Sequence, residues 1–248
     1  MATPDATSGS DWPSGDGRDG GWRAFLPLTV PSLCWEFLRR NRAYQEHFQS
    51  LTHGAANLDR RWGLAAAADP RLPSEEARVV WRADVAPALV VPMEERSFGR
   101  ARALPDSVDG PVAAEDGRYL RLPSGLQVQL RGDATPAGPL VVVLSYDSEF
   151  NLRVRAVDAL RRAETTDTPP RSRFTSEQRA RLARTLFALD ASLRAQSYRE
   201  IASGLFGEGS GAEDDFKTST QRDVTIRLVR RGKALMAGGY LKLLRAGF

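Results

Sequence analysis

Proline stands at positions 70, 73, 87, 92, 105, 111, 123, 136 and 139. Each one fixes its own φ and withholds a backbone N–H, so no long helix or long central strand can cross the segment they occupy. From about Trp62 to Arg162 the sequence instead offers short β-type runs: Arg78–Trp81, Ala88–Val91, Tyr119–Leu122, Gln127–Leu130 and Leu140–Leu144. Pro123-Ser124-Gly125, between two of these runs, has the composition of a hairpin turn. The pattern predicts a small, mostly antiparallel sheet. Leu152, Ala156, Ala159 and Leu160 then share a helical face and predict one amphipathic helix, Phe150 to Arg162.

Both flanks of this segment read as helical. Ser32 to Asn41 forms a short helix with Ser32 as N-cap and with Trp35 and Leu38 on one face. Arg42 to Leu51 forms a second, with Tyr44, Phe48 and Leu51 in line. At the other end, Thr175-Ser176-Glu177-Gln178 is a capping box opening a long helix that carries Leu182, Leu186, Leu189 and Leu193. Ser197-Tyr198-Arg199-Glu200 is a second capping box, opening a short helix with Ile201, Ala202 and Leu205 inward. A third helix starts near Asp215 to Thr218 and runs to about Arg231, and either Gly232 or Gly238-Gly239 bounds a last helical turn, Tyr240 to Arg245. The expected class is α+β: an N-terminal helical hairpin, a small sheet domain and a C-terminal all-α domain. The expected divisions are a polar disordered tail at 1–21, an N-terminal domain at 22–165, a linker with Pro169-Pro170 at 166–172, and a helical domain at 173–248.

Charge separates the two ends. Arg171 to Phe248 holds 15 Lys+Arg and 8 Asp+Glu, a net of +7, whereas the rest of the chain is at −3. A basic module on a near-neutral body points to a polyanionic partner. A short capped helix, a glycine-containing connection and a basic helix are the parts of a helix-turn-helix DNA reader. With Ser219 at zero on a helical wheel of ~100° per residue, Thr220, Asp223, Arg227, Arg230 and Arg231 share one arc, with Arg222 near its edge. Ser219, Thr220, Arg222 and Asp223 are placed for base edges. Arg227, Arg230 and Arg231 are placed for phosphates, joined by Lys217 ahead of the helix and by Arg199 on the preceding one. Glu213-Asp214-Asp215 speaks for a second reading, a regulator whose helix-turn-helix-like domain binds a partner protein.

Other chemistries find little support. The longest clean apolar run, Leu140 to Leu144, is far short of the ~20 residues of a membrane helix. The single cysteine, Cys34, fits a reducing cytoplasm, and the first twenty residues have no secretory pattern. His47 and His53 lack a metal-site spacing, Gly207–Gly211 lacks the Lys-Ser/Thr of a phosphate loop, and Ser145-Tyr146-Asp147 lacks nucleophile-elbow glycines. The expectation is a protein without catalysis, cofactor or metal.

Two stretches also resemble a known family. One is Trp35-Glu36-Phe37-Leu38-Arg39-Arg40-Asn41 with Tyr44. The other runs from Leu189-Asp190 through Ser197–Ala202 and Leu205-Phe206-Gly207 to Arg222, Arg227-Leu228, Arg230-Arg231-Gly232, Leu235, Gly238-Gly239-Tyr240 and Leu243-Leu244. The sequence resembles proteobacterial transcriptional activators of integrative and conjugative elements, which pair an N-terminal regulator-like domain with a C-terminal variant helix-turn-helix domain. The resemblance implies control of excision and transfer genes, promoter DNA as partner, contact with RNA polymerase, and a small antiactivator protein as antagonist. Localisation would be cytoplasmic, on the nucleoid. One helix-turn-helix reads only a few base pairs, so a dimer or paired sites is expected on DNA.

Overall fold

The computed structural model describes residues 21–53, 57–96, 100–163, 174–207 and 220–246. Helix α1, Val30–Arg39, is capped by Thr29, whose hydroxyl accepts the Ser32 N–H at 3.3 Å; Pro31 occupies the first turn. Ser32 is thus a donor inside the helix and not its N-cap. α1 is buried nearly all round, including Trp35, Phe37 and Leu38 and the charged Glu36 and Arg39. Asn41 caps α2, Arg42–Thr52, by accepting the Ala43 N–H at 2.9 Å.

Five short strands follow: β1 Val90–Glu95, β2 Val112–Ala114, β3 Gly117–Arg121, β4 Gln127–Arg131 and β5 Leu140–Val142. The sheet order is β2-β3-β4-β1-β5. Only β1 and β4 run parallel; the other neighbours are antiparallel. The Pro123–Gly125 turn joins β3 to β4, with Gly125 at φ 84° and its N–H on the Leu122 carbonyl at 2.8 Å.

Residues 78–81 do not form the expected strand. Arg78 has φ 48°, which breaks the extended run, and Trp81 makes only an isolated bridge to Leu64. The Gln127 side chain takes the place of a neighbouring strand: it accepts the Trp81 N–H at 2.9 Å and donates to the Val79 carbonyl at 3.0 Å. The short strand β2, rich in alanine, has no counterpart among the runs expected from sequence.

Helix α3, Phe150–Ala163, buries Ala156, Ala159 and Leu160 against Val91, Met93, Leu120 and Val128 of the sheet. The C-terminal part comprises α4 Ser176–Leu193, α5 Tyr198–Phe206, α6 Thr220–Ala234, a π-type turn Leu235–Gly239, and α7 Tyr240–Ala246. Gly238, at φ 116°, makes the break before α7, whereas Gly232 lies inside α6. The expected tail, except Gly21, and the expected linker at 166–172 lie outside the described residues.

One core joins the two helical ends. Leu33, Trp35, Phe37 and Leu38 of α1 pack in the same cluster as Leu186 and Leu189 of α4, Leu228 of α6, and Tyr240 and Leu244 of α7. Polar groups fasten the contact. The Arg40 guanidinium donates to both carboxylate oxygens of Asp190 on α4, one bond being 2.8 Å, and lies 2.6 Å from Glu36. Glu36 also accepts from Arg39 at 2.7 Å and from the Ser74 N–H at 2.9 Å. All four charged side chains are buried, two of each sign. The Asn41 amide donates to the Met236 carbonyl at 2.8 Å, and the Tyr240 hydroxyl donates to the Trp62 carbonyl at 2.9 Å.

Candidate nucleic-acid interface

Both capping boxes form as the residue types require. Thr175 accepts the Gln178 N–H while Gln178 accepts the Thr175 N–H, at 3.1 and 2.8 Å. Ser197 and Glu200 do the same at the head of α5, at 3.3 and 2.6 Å. The bonds from Ser197 hold the Glu200 carboxyl below the ordinary carboxylate range. α5 turns Ile201, Ala202 and Leu205 into the core, as its pattern requires. Gly204 admits the Phe187 ring of α4, since a Cβ there would stand 2.6 Å from the ring tip.

α6 is seated on α4 at Gly232. A Cβ at this position would lie 2.9 Å from Leu189 Cβ and 3.1 Å from the Thr185 carbonyl, closer than side chains normally approach. Thr225, Leu228, Val229 and Gly232 form the buried face. Thr225 satisfies its hydroxyl on the Gln221 carbonyl at 2.8 Å, so it adds no unpaired polar group to the core.

The opposite face is open to solvent. Thr220, Asp223, Arg227 and Arg230 are all exposed. At ~100° per residue these four lie within an arc of roughly 80°. Arg231 and Arg222 are half-buried on the two flanks of this stripe. Arg222 is engaged by a neighbouring group. Arg227 donates its Nε–H to the Asp223 carbonyl at 3.3 Å, which lays its side chain back along the helix. Asp223 in the first turn and Arg231 and Lys233 in the last suit the polarity of the helix ends.

Arg199 is exposed in the first turn of α5. Lys217, Ser219 and the acidic run Glu213–Asp215 lie outside the described residues. Lys233 is exposed in the last turn of α6.

Features of other chemistries are sparse. Among the described residues, no group of three or more His, Cys, Asp or Glu side chains is placed to hold a metal ion. No described helix is long and apolar enough to cross a membrane. Cys34 is buried, which pushes its thiol well above the usual value, and it contacts the Tyr240 carbonyl at 3.5 Å.

Comparison with known families agrees with this geometry. Residues 143–245, which include α5 and α6, match the RovC-type family described as a T6SS transcription factor DNA-binding domain. Residues 19–65, which include α1 and α2, match the proteobacterial transcriptional regulator-like domain. No match is found among curated proteins. The chain is therefore a transcriptional regulator with a DNA-binding domain, and DNA is its partner. The DNA-binding match begins at residue 143 and so takes in α3.

Proposed function

We propose that the protein is a non-catalytic transcriptional activator whose α6 stripe enters the major groove of promoter DNA. The observation that carries this reading is the outward face of α6. Arg227 and Arg230 stand there in solvent without an ion-pair partner among the described residues. A helix fits the ~12 Å width of the groove, with its N-terminal residues toward base edges. Thr220 and Asp223, with Ser219 and Arg222 beside them, are the base-reading set; Arg227, Arg230, Arg231, Lys217 and Arg199 are the phosphate set. Asp223 suits the amino group of a cytosine.

The N-terminal half would face RNA polymerase, with a small antiactivator protein as competitor, and a dimer would cover paired half-sites in the cytoplasm. The family resemblance favours excision and transfer genes of an integrative and conjugative element as targets. The T6SS wording attached to the matched DNA-binding family supplies the competing set. Footprinting of the full chain on both sets of promoters separates them.

The decisive test of DNA reading is a gel-shift titration with Arg227→Ala and Arg230→Ala at two salt concentrations. Each variant should bind more weakly on every duplex and with a flatter salt dependence. Unchanged binding in the double variant rejects the assigned face and favours a protein partner.

A further inference from the structure

A second basic element borders the α6 stripe. Arg181 is exposed on α4, one turn before Thr185. Thr185 and Leu189 form the seat of Gly232, where α4 and α6 cross most closely. Arg231 immediately precedes Gly232 and so stands at the same crossing. Half-burial first, and then the charge of Arg181, hold Arg231 below the ordinary guanidinium value.

No acid relieves this pair among the described residues. Glu177, one turn before Arg181, is taken by Arg184 at 3.2 Å. Arg184 is itself laid over the Trp22 ring, 4.5 Å from its centroid. Two like charges held at a helix crossing repel, and an anion lodged between them turns that repulsion into attraction. The guanidinium fork matches phosphate oxygens in shape and charge. Arg231 flanks the stripe that faces the groove, and a helix lying in a major groove has a phosphate backbone along each flank.

We propose that Arg181 and Arg231 together clamp one phosphate of the DNA backbone, so that α4 is a further element of the interface. This rests on the reading of α6 as a groove-entering helix, and the experiment separates the two.

The full chain is titrated against a labelled duplex of random sequence from ~50 to ~200 mM salt, where phosphate contacts dominate whatever the sequence. Arg181→Gln should bind more weakly and lower the slope of log K against log salt by up to ~0.9, the share of one phosphate. Over that salt range its deficit relative to the unaltered chain should shrink by up to about 3.5-fold. Arg181→Gln/Arg231→Gln should lose no second increment of slope, because both residues serve one phosphate. Without DNA, Arg181→Gln should melt no lower than the unaltered chain, because it removes a repulsion.

A lower melting temperature, or a slope loss of two increments in the double variant, overturns the shared clamp. Unchanged affinity and slope for Arg181→Gln, with Arg227→Gln still weakened, overturns the clamp and spares the α6 reading. Unchanged binding in all of these variants overturns both.

Discussion

Arg40→Met tests the fastening between α1 and α4. Arg40 bridges Glu36 and Asp190 in the buried set, and its two contacts with Asp190 join residues far apart in sequence. Removing it leaves Glu36, Arg39 and Asp190, one negative charge in excess, in a region the side chains seal from water. Breaking a buried pair from one side costs about 3–5 kcal/mol. Against a total stability of about 5–15 kcal/mol, this is a large fraction. At about 2–4 °C per kcal/mol for a chain of this size, the melting temperature should fall by about 6–20 °C. The informative partner is Arg40→Met/Asp190→Leu. It leaves Glu36 paired with Arg39 at 2.7 Å and replaces the other pair by apolar groups, an exchange that is often neutral or stabilising. The double variant should therefore melt above Arg40→Met. Thermal unfolding of the full chain by circular dichroism measures both. If Arg40→Met melts within about 2 °C of the unaltered chain, or if the double variant is worse than either single, the charge argument is wrong.

Two glycines on the DNA-binding side should respond oppositely to alanine. Gly232→Ala drives a Cβ into Leu189 Cβ and the Thr185 carbonyl and should cost about 1–3 kcal/mol in denaturant unfolding. Gly204→Ala meets only the tip of the half-buried Phe187 ring, which can swing aside; it should be neutral or gain part of the ~1 kcal/mol that alanine brings to a helix. Ser197→Ala removes the hydroxyl from the α5 cap and should cost about 0.5–2 kcal/mol by the same assay. The Glu200 carboxyl has a depressed pKa in the folded chain, so its contribution is complete above the unfolded value of about 4.3 and is lost as pH falls through the folded one. The Ser197 amide resonance followed by NMR should report that acid transition, and Glu200→Gln should abolish it.

Local signals carried most of the helical architecture into the sequence. Thr175 with Gln178 and Ser197 with Glu200 name their helix starts, because each cap is satisfied within four residues. The α6 face is partly local: Leu228 and Val229 fall outside the polar arc and turn inward, leaving Arg227 and Arg230 outside, whereas Thr225 and Gly232 complete the buried face with residue types that carry no apolar signal. Non-local substitutions were hidden. Nothing near Trp81 announces that a side chain from residue 127 would complete its backbone bonding. Pro31 with Thr29 displaced the cap from Ser32 by three residues, within reach of either hydroxyl. Arg181 carries no local mark, because its significance depends on Arg231, fifty residues later and on another helix.

The shared core has a consequence for truncation. A polypeptide beginning at α2 would lose the Arg40 guanidinium that neutralises Asp190, the Asn41 amide that occupies the Met236 carbonyl, and the apolar surface beneath Tyr240. The C-terminal helices, α6 among them, stand on a foundation to which α1, Asn41 and Trp62 contribute. Whatever loosens that foundation, whether a ligand, a protease or a rival protein, is expected to alter how Arg227 and Arg230 are held without touching either.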